Sequence, residues 1–167
     1  LVAGLGTIPV IIYVVCLLPD ATIRFFVWLL SHSFYRLKVH GIHQIPPRGG
    51  ALLVPNHVSW IDGIVLLLAS SRPIRMLVYA DYANKNGLRS LAKIFKVIPI
   101  KDSAGPKAIL QALQAAKEAV QNGELVCIFA EGSLTRSGQL QSFQKGALRI
   151  VQGTDAPIIP VYLDELW

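Results

Sequence analysis

The chain is predicted to be an α/β protein, a mixed and largely parallel sheet flanked by helices, preceded by an apolar N-terminal membrane-associated helical segment. Two observations carry the sheet: short β-rich runs alternate with helix-length segments from residue 35 onward, and 167 residues hold one domain with a real core but hardly two. A third carries the N-terminal segment, since Leu1 to Leu18 contains no charged residue.

That run is about the 18 to 20 residues needed to span a bilayer, and Ala21 to Leu30 adds an apolar patch interrupted by Arg24. Residues 1–30 are therefore expected to be transmembrane or membrane-associated; the alternative is a pair of core or interfacial helices broken at Pro19. A basic leader and a small-residue cleavage site are missing, so a signal peptide is not expected. Arg36, Lys38 and Arg48 follow closely, which by the positive-inside rule places residues 31–167 in the cytoplasm. Because the chain opens on Leu1 and stops at Trp167, it is expected to be a piece of a longer protein, truncated at its C-terminus.

Strands are predicted at Arg36 to Val39, Ala51 to Val54, Met76 to Tyr79, Val97 to Ile100, Leu125 to Phe129 and Ile158 to Leu163. Helices are predicted at Ser59 to Ala69, Leu88 to Phe95, Pro106 to Asn122 and Phe143 to Gln152. The helix from Pro106 is the clearest. Proline stands in its first turn, Ile109, Leu110, Leu113, Ala116 and Val120 line one side, and Asn122-Gly123 ends it.

Composition narrows the partners. Hydrophobic residues make up 53% of the chain and mean hydropathy is +0.49, which points to a lipid or membrane nearby. Sixteen Lys+Arg against ten Asp+Glu give a net charge of +6, suited to anionic partners. The positive charge is dispersed without an aromatic-basic motif, which argues against nucleic acid. Cys16 and Cys127 sit far apart in apolar runs and read as buried thiols, and His32, His40 and His43 read as structural or surface residues.

Two loops carry the chemistry. PNHVSWIDG, Pro55 to Gly63, leaves the apolar run Ala51 to Val54 and presents His57 and Asp62 where active loops of open α/β sheets lie, past the carboxyl end of a strand. Five helical steps of about 100° put the pair on different faces, so contact requires His57 to stand on the loop ahead of the helix. The carboxylate then holds one imidazole nitrogen and leaves the other as a general base. The competing reading is an ordinary helix cap at Ser59 with incidental neighbours. Asn56 either fixes this loop or only forms its turn. Trp60 covers the site, touches lipid or joins the core.

FAEGSLTRSG, Phe129 to Gly138, follows the apolar run ELVCIF with Glu131, Gly132, two hydroxyls and Arg136. Gly132 allows close backbone approach, and the planar fork of Arg136 suits phosphate. The Walker spacing, the G-x-S-x-G elbow and any metal-ligand spacing are absent from the sequence.

NHVSWID resembles the N-H-x4-D box of the glycerolipid and lysophospholipid acyltransferases, and FAEGSLTRSG resembles their F-x-E-G-x-x-S/T-R box. GLRSLAKIFKVIPIKD, Gly87 to Asp102, is similar to their second block, and APIIPVYL, Ala156 to Leu163, to the proline-containing fourth. The resemblance runs from Tyr35 to Trp167. Lys101 departs from it where the family often has arginine, keeping the charge but losing bidentate geometry. Gly132-Ser133-Leu134-Thr135-Arg136 departs from the shorter Gly-Thr-Arg-Ser form, leaving the arginine's alignment open by a residue.

The resemblance implies an O-acyltransferase of the 1-acylglycerol-3-phosphate acyltransferase type with the glycerol-3-phosphate acyltransferase-like fold. In it His57 would deprotonate a glycerol hydroxyl, Asp62 would orient it, and the alkoxide would attack an acyl thioester directly. Glu131, Gly132, Arg136 and Lys101 would bind substrate, with Arg136 and Lys101 on phosphate, backbone N–H groups around Gly132 on the oxyanion, and Asn56 in support. No cofactor is implied beyond the acyl-CoA or acyl-ACP (acyl carrier protein) co-substrate, and the acceptor would be a lysophospholipid or lysophosphatidic acid. PNHVSWIDGIVL and VYLDELW, behind the apolar start, are most similar to the acyltransferase domain of bacterial bifunctional acyltransferase/acyl-acyl-carrier-protein synthetases. That similarity implies the bacterial inner membrane, with the domain on the cytoplasmic side, and an acceptor such as 2-acylglycerophosphoethanolamine. The alternative from another class is a non-catalytic lipid- or carrier-protein-binding module of the same architecture. Leu88 to Lys96, with Arg89, Lys93 and Lys96 among Leu91, Ile94 and Phe95, either lies on anionic lipid, meets an acidic carrier protein, or is a solvated face over a core stripe.

Overall fold

Five strands, separated in the chain by helices, pair side by side in one direction in the computed structural model. The structure describes residues 37–164 except Asn86, Gly87 and Arg136, with Asp102 by its backbone alone, and the isolated positions Tyr13, Leu17, Leu18, Ala21, Thr22, Phe25 and Leu29. The elements are β1 (Ala51–Pro55), α1 (Asp62–Ala69), β2 (Ile74–Tyr79), α2 (Ala80–Ala83), α3 (Leu88–Ile94), β3 (Ile98–Ile100), α4 (Pro106–Gln121), β4 (Leu125–Cys127), α5 (Gly146–Val151) and β5 (Ile158–Val161). The strand order is β3-β2-β4-β1-β5, and every adjacent pair is parallel. The expected mixed sheet is thus wholly parallel among the described residues.

The chain divides into two units, Leu1–Lys38 and Val39–Trp167. Most of the apolar stretch Leu1 to Leu18 lies outside the described residues. Among those described, no helix is long and apolar enough to cross a membrane. The strand expected at Arg36 to Val39 does not form over its described part: Leu37 to Val39 carry no ladder, and Arg36 lies outside.

β1 is apolar along its whole length because both of its faces are covered, as parallel sheets require. Its side chains alternate between two cores. Leu52 joins Leu77, Ile98 and Val126 against Ala112, Leu113, Ala116, Ala119 and Val120 of α4 and Ile150 of α5. Ala51 and Leu53 join Ile74, Met76, Leu125 and Cys127 against Leu66 of α1. Burial pushes the Cys127 thiol pKa far up, which leaves it unreactive.

In α4 the buried arc is Ala112, Leu113, Ala116, Ala119 and Val120, while Leu110 is 45% exposed. Leu110 was expected on the core side, but at about 100° per residue it falls outside the arc centred on Leu113 and Ala116. At the other end of the helix a Cβ on Gly50 would lie 1.8 Å from the Val120 carbonyl oxygen, so only glycine lets the lead-in to β1 pass α4.

At the amino ends of the strands the Arg72 guanidinium donates to the carbonyls of Pro46 at 2.6 Å, Gly49 at 2.8 Å and Gly123 at 2.8 Å. Gly49 and Gly123 lead into β1 and β4, so one side chain gathers the entries to three strands. The carboxyl ends are left free for chemistry.

Candidate active site

β1 and β4 pair in the register Leu53↔Cys127. Four residues beyond that pair stand His57 and Glu131, so two loops remote in sequence leave the sheet at the same level. The His57 backbone N–H donates to Glu131 Oε1 at 2.9 Å, and the Gln141 N–H donates to Oε2 at 2.9 Å. The Thr135 N–H donates in turn to the His57 carbonyl at 2.9 Å. Glu131 is 4% exposed, and both of its oxygens are occupied by backbone. The carboxylate ties the two loops together.

α1 begins at Asp62 rather than at Ser59. Its N-cap residue is Ile61, which makes no side-chain cap, and the Ser59 hydroxyl meets only the Ile61 N–H, at 3.5 Å. The simple cap reading therefore fails. Asp62 does the capping work in reverse, accepting from the loop that precedes it. Its Oδ2 receives the Val58 N–H at 2.7 Å, the Ser59 N–H at 2.9 Å and the imidazole Nδ1 at 2.9 Å. Starting the helix three residues late leaves His57 on the loop, which removes the 500° problem of a shared helix.

An ionised carboxylate only accepts, so Nδ1 carries the imidazole proton and Nε2 keeps its lone pair. The Asp62 side chain is 0% exposed and that of His57 is 23% exposed. A buried carboxylate at Nδ1 of a partly exposed imidazole is an arrangement that suits a general base. The Phe129 ring stacks on the imidazole, with centroids 4.0 Å apart and planes at 24°. Asp62 Oδ1 is buried without a hydrogen-bond partner among the described residues.

Asn56 is buried and pairs like a strand residue with Leu163 beyond β5. Its Nδ2 donates to the Leu163 carbonyl at 2.9 Å, and the Leu163 N–H donates to Oδ1 at 2.7 Å. Gly132 holds a positive φ of 75°; its N–H donates to the Phe129 carbonyl at 3.0 Å and its carbonyl accepts the Tyr79 hydroxyl at 3.0 Å. That N–H is spent within the turn. Lys101 is exposed just past β3, at the sheet's edge. Three strand spacings, about 14 Å of sheet, separate β3 from β1. Arg136 lies outside the described residues. Among the described residues no group of three His, Cys, Asp or Glu side chains could hold a metal ion.

Sequence reasoning missed Phe129, Thr135 and Gln141 as supports of the histidine. Phe129 opens the second motif and could have been suspected from its place there; the other two act through backbone N–H groups, which leave no mark on residue type. Trp60 is 68% exposed and meets Tyr82 edge-on at 5.0 Å, which excludes the core placement.

Comparison with known proteins bears on the whole domain. A family model described as Acyltransferase matches residues 36–164. The chain is 27% identical over 139 residues to a chloroplastic 1-acyl-sn-glycerol-3-phosphate acyltransferase of Arabidopsis thaliana, covering 79% of this chain and 37% of that one. It is 23% identical over 143 residues to a 1-acyl-sn-glycerol-3-phosphate acyltransferase of Borreliella burgdorferi, covering 86% and 56%. An uncharacterized protein of Mycobacterium leprae is 31% identical over 153 residues, covering 84% and 40%. The chain thus spans roughly two fifths to just over half the length of these relatives. The crystal structure of the 1-acyl-sn-glycerophosphate acyltransferase PlsC from Thermotoga maritima superposes with a TM-score of 0.67 at 22% identity, over 84% of this chain and 57% of that one. This likeness shows a shared fold.

Proposed function

The chain belongs to the acyltransferase family, and from that membership we propose that it moves a fatty acyl group from a thioester donor to the free hydroxyl of 1-acylglycerol-3-phosphate. The observation that carries the proposal is the 2.9 Å contact of buried Asp62 with Nδ1 of His57, which leaves Nε2 as the nitrogen able to accept a proton.

The acceptor hydroxyl proton passes to Nε2 as its oxygen attacks the thioester carbonyl carbon. Asp62 stabilises the imidazolium formed and holds the ring in the tautomer that can accept. When the tetrahedral adduct collapses, the C–S bond breaks and the leaving thiolate takes the proton from Nε2. The products are an ester and a free thiol, and the imidazole returns to its starting state. Phe129 below the ring and the Glu131 bond behind its backbone hold it in the attacking geometry.

The substrate for which two of these relatives are named supports a phosphate-bearing acceptor. Lys101 and Arg136 are the cations proposed to meet that phosphate. Acyl-CoA and acyl carrier protein present the same thioester and are both admitted as donors. The reaction is proposed to run at a membrane, where such acceptors reside, and a lysophospholipid with a larger headgroup is the second acceptor to test.

The test supplies labelled acyl-CoA or acyl carrier protein with 1-acylglycerol-3-phosphate and a panel of lysophospholipids. His57→Ala is expected to abolish transfer. Transfer at the parental rate in that variant would overturn the mechanism.

A further inference from the structure

α3 buries none of its seven residues. A helix this short is not stable alone in water, and one with an apolar stripe needs something to cover it. Its exposed apolar residues are Leu88 and Leu91, with Leu88 46% exposed. Arg89, Lys93 and Lys96 are exposed beside it. Of the core stripe that the sequence offered as one explanation, Ile94 and Phe95 are half-buried while Leu91 is exposed, which leaves Leu88 and Leu91 with apolar surface to cover.

The apolar surface continues past the helix start. The N–H groups of Leu88 and Arg89 donate to the Lys85 carbonyl at 3.0 and 3.2 Å, and Lys85 Nζ stands 4.9 Å over the Tyr82 ring. Tyr82 meets the exposed Trp60 edge-on, and Trp60 is followed by exposed Ile61 and Ile64 at the head of α1. Between residues 79 and 101 the chain carries Lys85, Arg89, Lys93, Lys96 and Lys101 against the single acid Asp81.

We infer that the face formed by Trp60, Tyr82, Lys85, Leu88, Arg89 and Leu91 docks on an anionic lipid surface. Tryptophan and tyrosine favour the headgroup level, where the ring is apolar and its edge stays wet. Leucines from the adjacent helix enter below them, and the flanking cations meet anionic headgroups. The charge is complementary to such a surface and repels a cationic one. Trp60 lies three residues from His57, so docking here sets the mouth of the proposed site against the layer that holds a lipid acceptor. The inference rests on the proposed acyl transfer only for that last consequence.

The chain has three tryptophans, so Trp28→Phe with Trp167→Phe makes Trp60 the sole tryptophan, excited selectively over the tyrosines at the red edge. This variant is titrated with phosphatidylcholine vesicles, with and without phosphatidylglycerol, carrying brominated acyl chains. Trp60 emission is expected to shift to the blue and to be quenched with the anionic vesicles. Reversing three charges, Lys85→Glu, Arg89→Glu and Lys93→Glu, is expected to weaken that quenching partition by at least about tenfold. Unquenched Trp60 on a chain that sediments with the vesicles would overturn the inference, as would protection of Trp60 by an acidic carrier protein but not by lipid. On a detergent-dispersed acceptor the triple variant is expected to turn over like the parent. A parent that quenches but never turns over defeats the proposed reaction and leaves the docking face standing.

Discussion

Glu131 holds the histidine loop from 74 residues away: its Oε1 accepts the backbone N–H of His57 at 2.9 Å while Oε2 accepts that of Gln141. The carboxylate touches no part of the imidazole. It fixes the peptide that carries the ring, which in the proposed mechanism makes it a positioning residue.

Glu131→Gln keeps one acceptor but turns an amide N–H toward the second backbone donor. Stability is expected to fall by about 1 to 3 kcal/mol, the usual penalty for a buried group left unpaired. Turnover is expected to drop about 10- to 100-fold with acceptor KM almost unchanged, because ring placement is lost and binding is not. Steady-state kinetics separate the two, since a substrate-contacting glutamate would raise KM instead.

Asp62→Asn retains an oxygen for the Val58 and Ser59 N–H groups, so the loop is expected to stay folded. It removes the negative charge that, in the proposed mechanism, stabilises the imidazolium. A fall in kcat of about 10³-fold or more is expected, by analogy with the aspartate of serine-protease triads. Circular dichroism alongside the rate tells loss of charge from loss of fold.

Asn56→Ala deletes both hydrogen bonds to Leu163 at a buried site. At about 1 kcal/mol each, with a further penalty for the stranded backbone groups, about 2 to 4 kcal/mol of stability is expected to go. Asn56→Asp is expected to be at least as damaging, because it sets an acceptor against the Leu163 carbonyl. Denaturant unfolding of both variants measures this.

Arg72→Ala removes three hydrogen bonds to carbonyl groups at the end of the sheet opposite His57. A loss of about 3 kcal/mol or more is expected, and Arg72→Lys is expected to recover little, because an ammonium cannot reproduce the planar fork. Kinetic constants measured well below the melting temperature are expected to match the parent, since the clamp does not reach the carboxyl-end loops.

The parallel α/β architecture and the site's two loops were legible in the sequence because their signals are local. Apolar runs such as Ala51 to Val54 mark strands covered on both faces, and Pro106 with Gly123 brackets a helix. Helix starts were less legible: Ser59 looks like a cap, yet the carboxylate of Asp62 gathers the Val58 and Ser59 amides of the loop and the helix starts at Asp62. Leu110 was misplaced because the true arc of α4 is set by alanines, which small-residue packing buries without a strong hydrophobic signal.

By itself, then, the sequence determined that His57 and Asp62 could meet, since five residues of loop and helix start suffice for a carboxylate to reach back to an imidazole. Only the tertiary structure decided what braces them. Parallel strands carry no code for their neighbours, and β1 here lies between β4 and β5. That insertion puts Glu131 behind the His57 peptide on one side and Leu163 beside Asn56 on the other. Hydrogen bonds across 74 and 107 residues depend on strand order and register, which no spacing within either motif records.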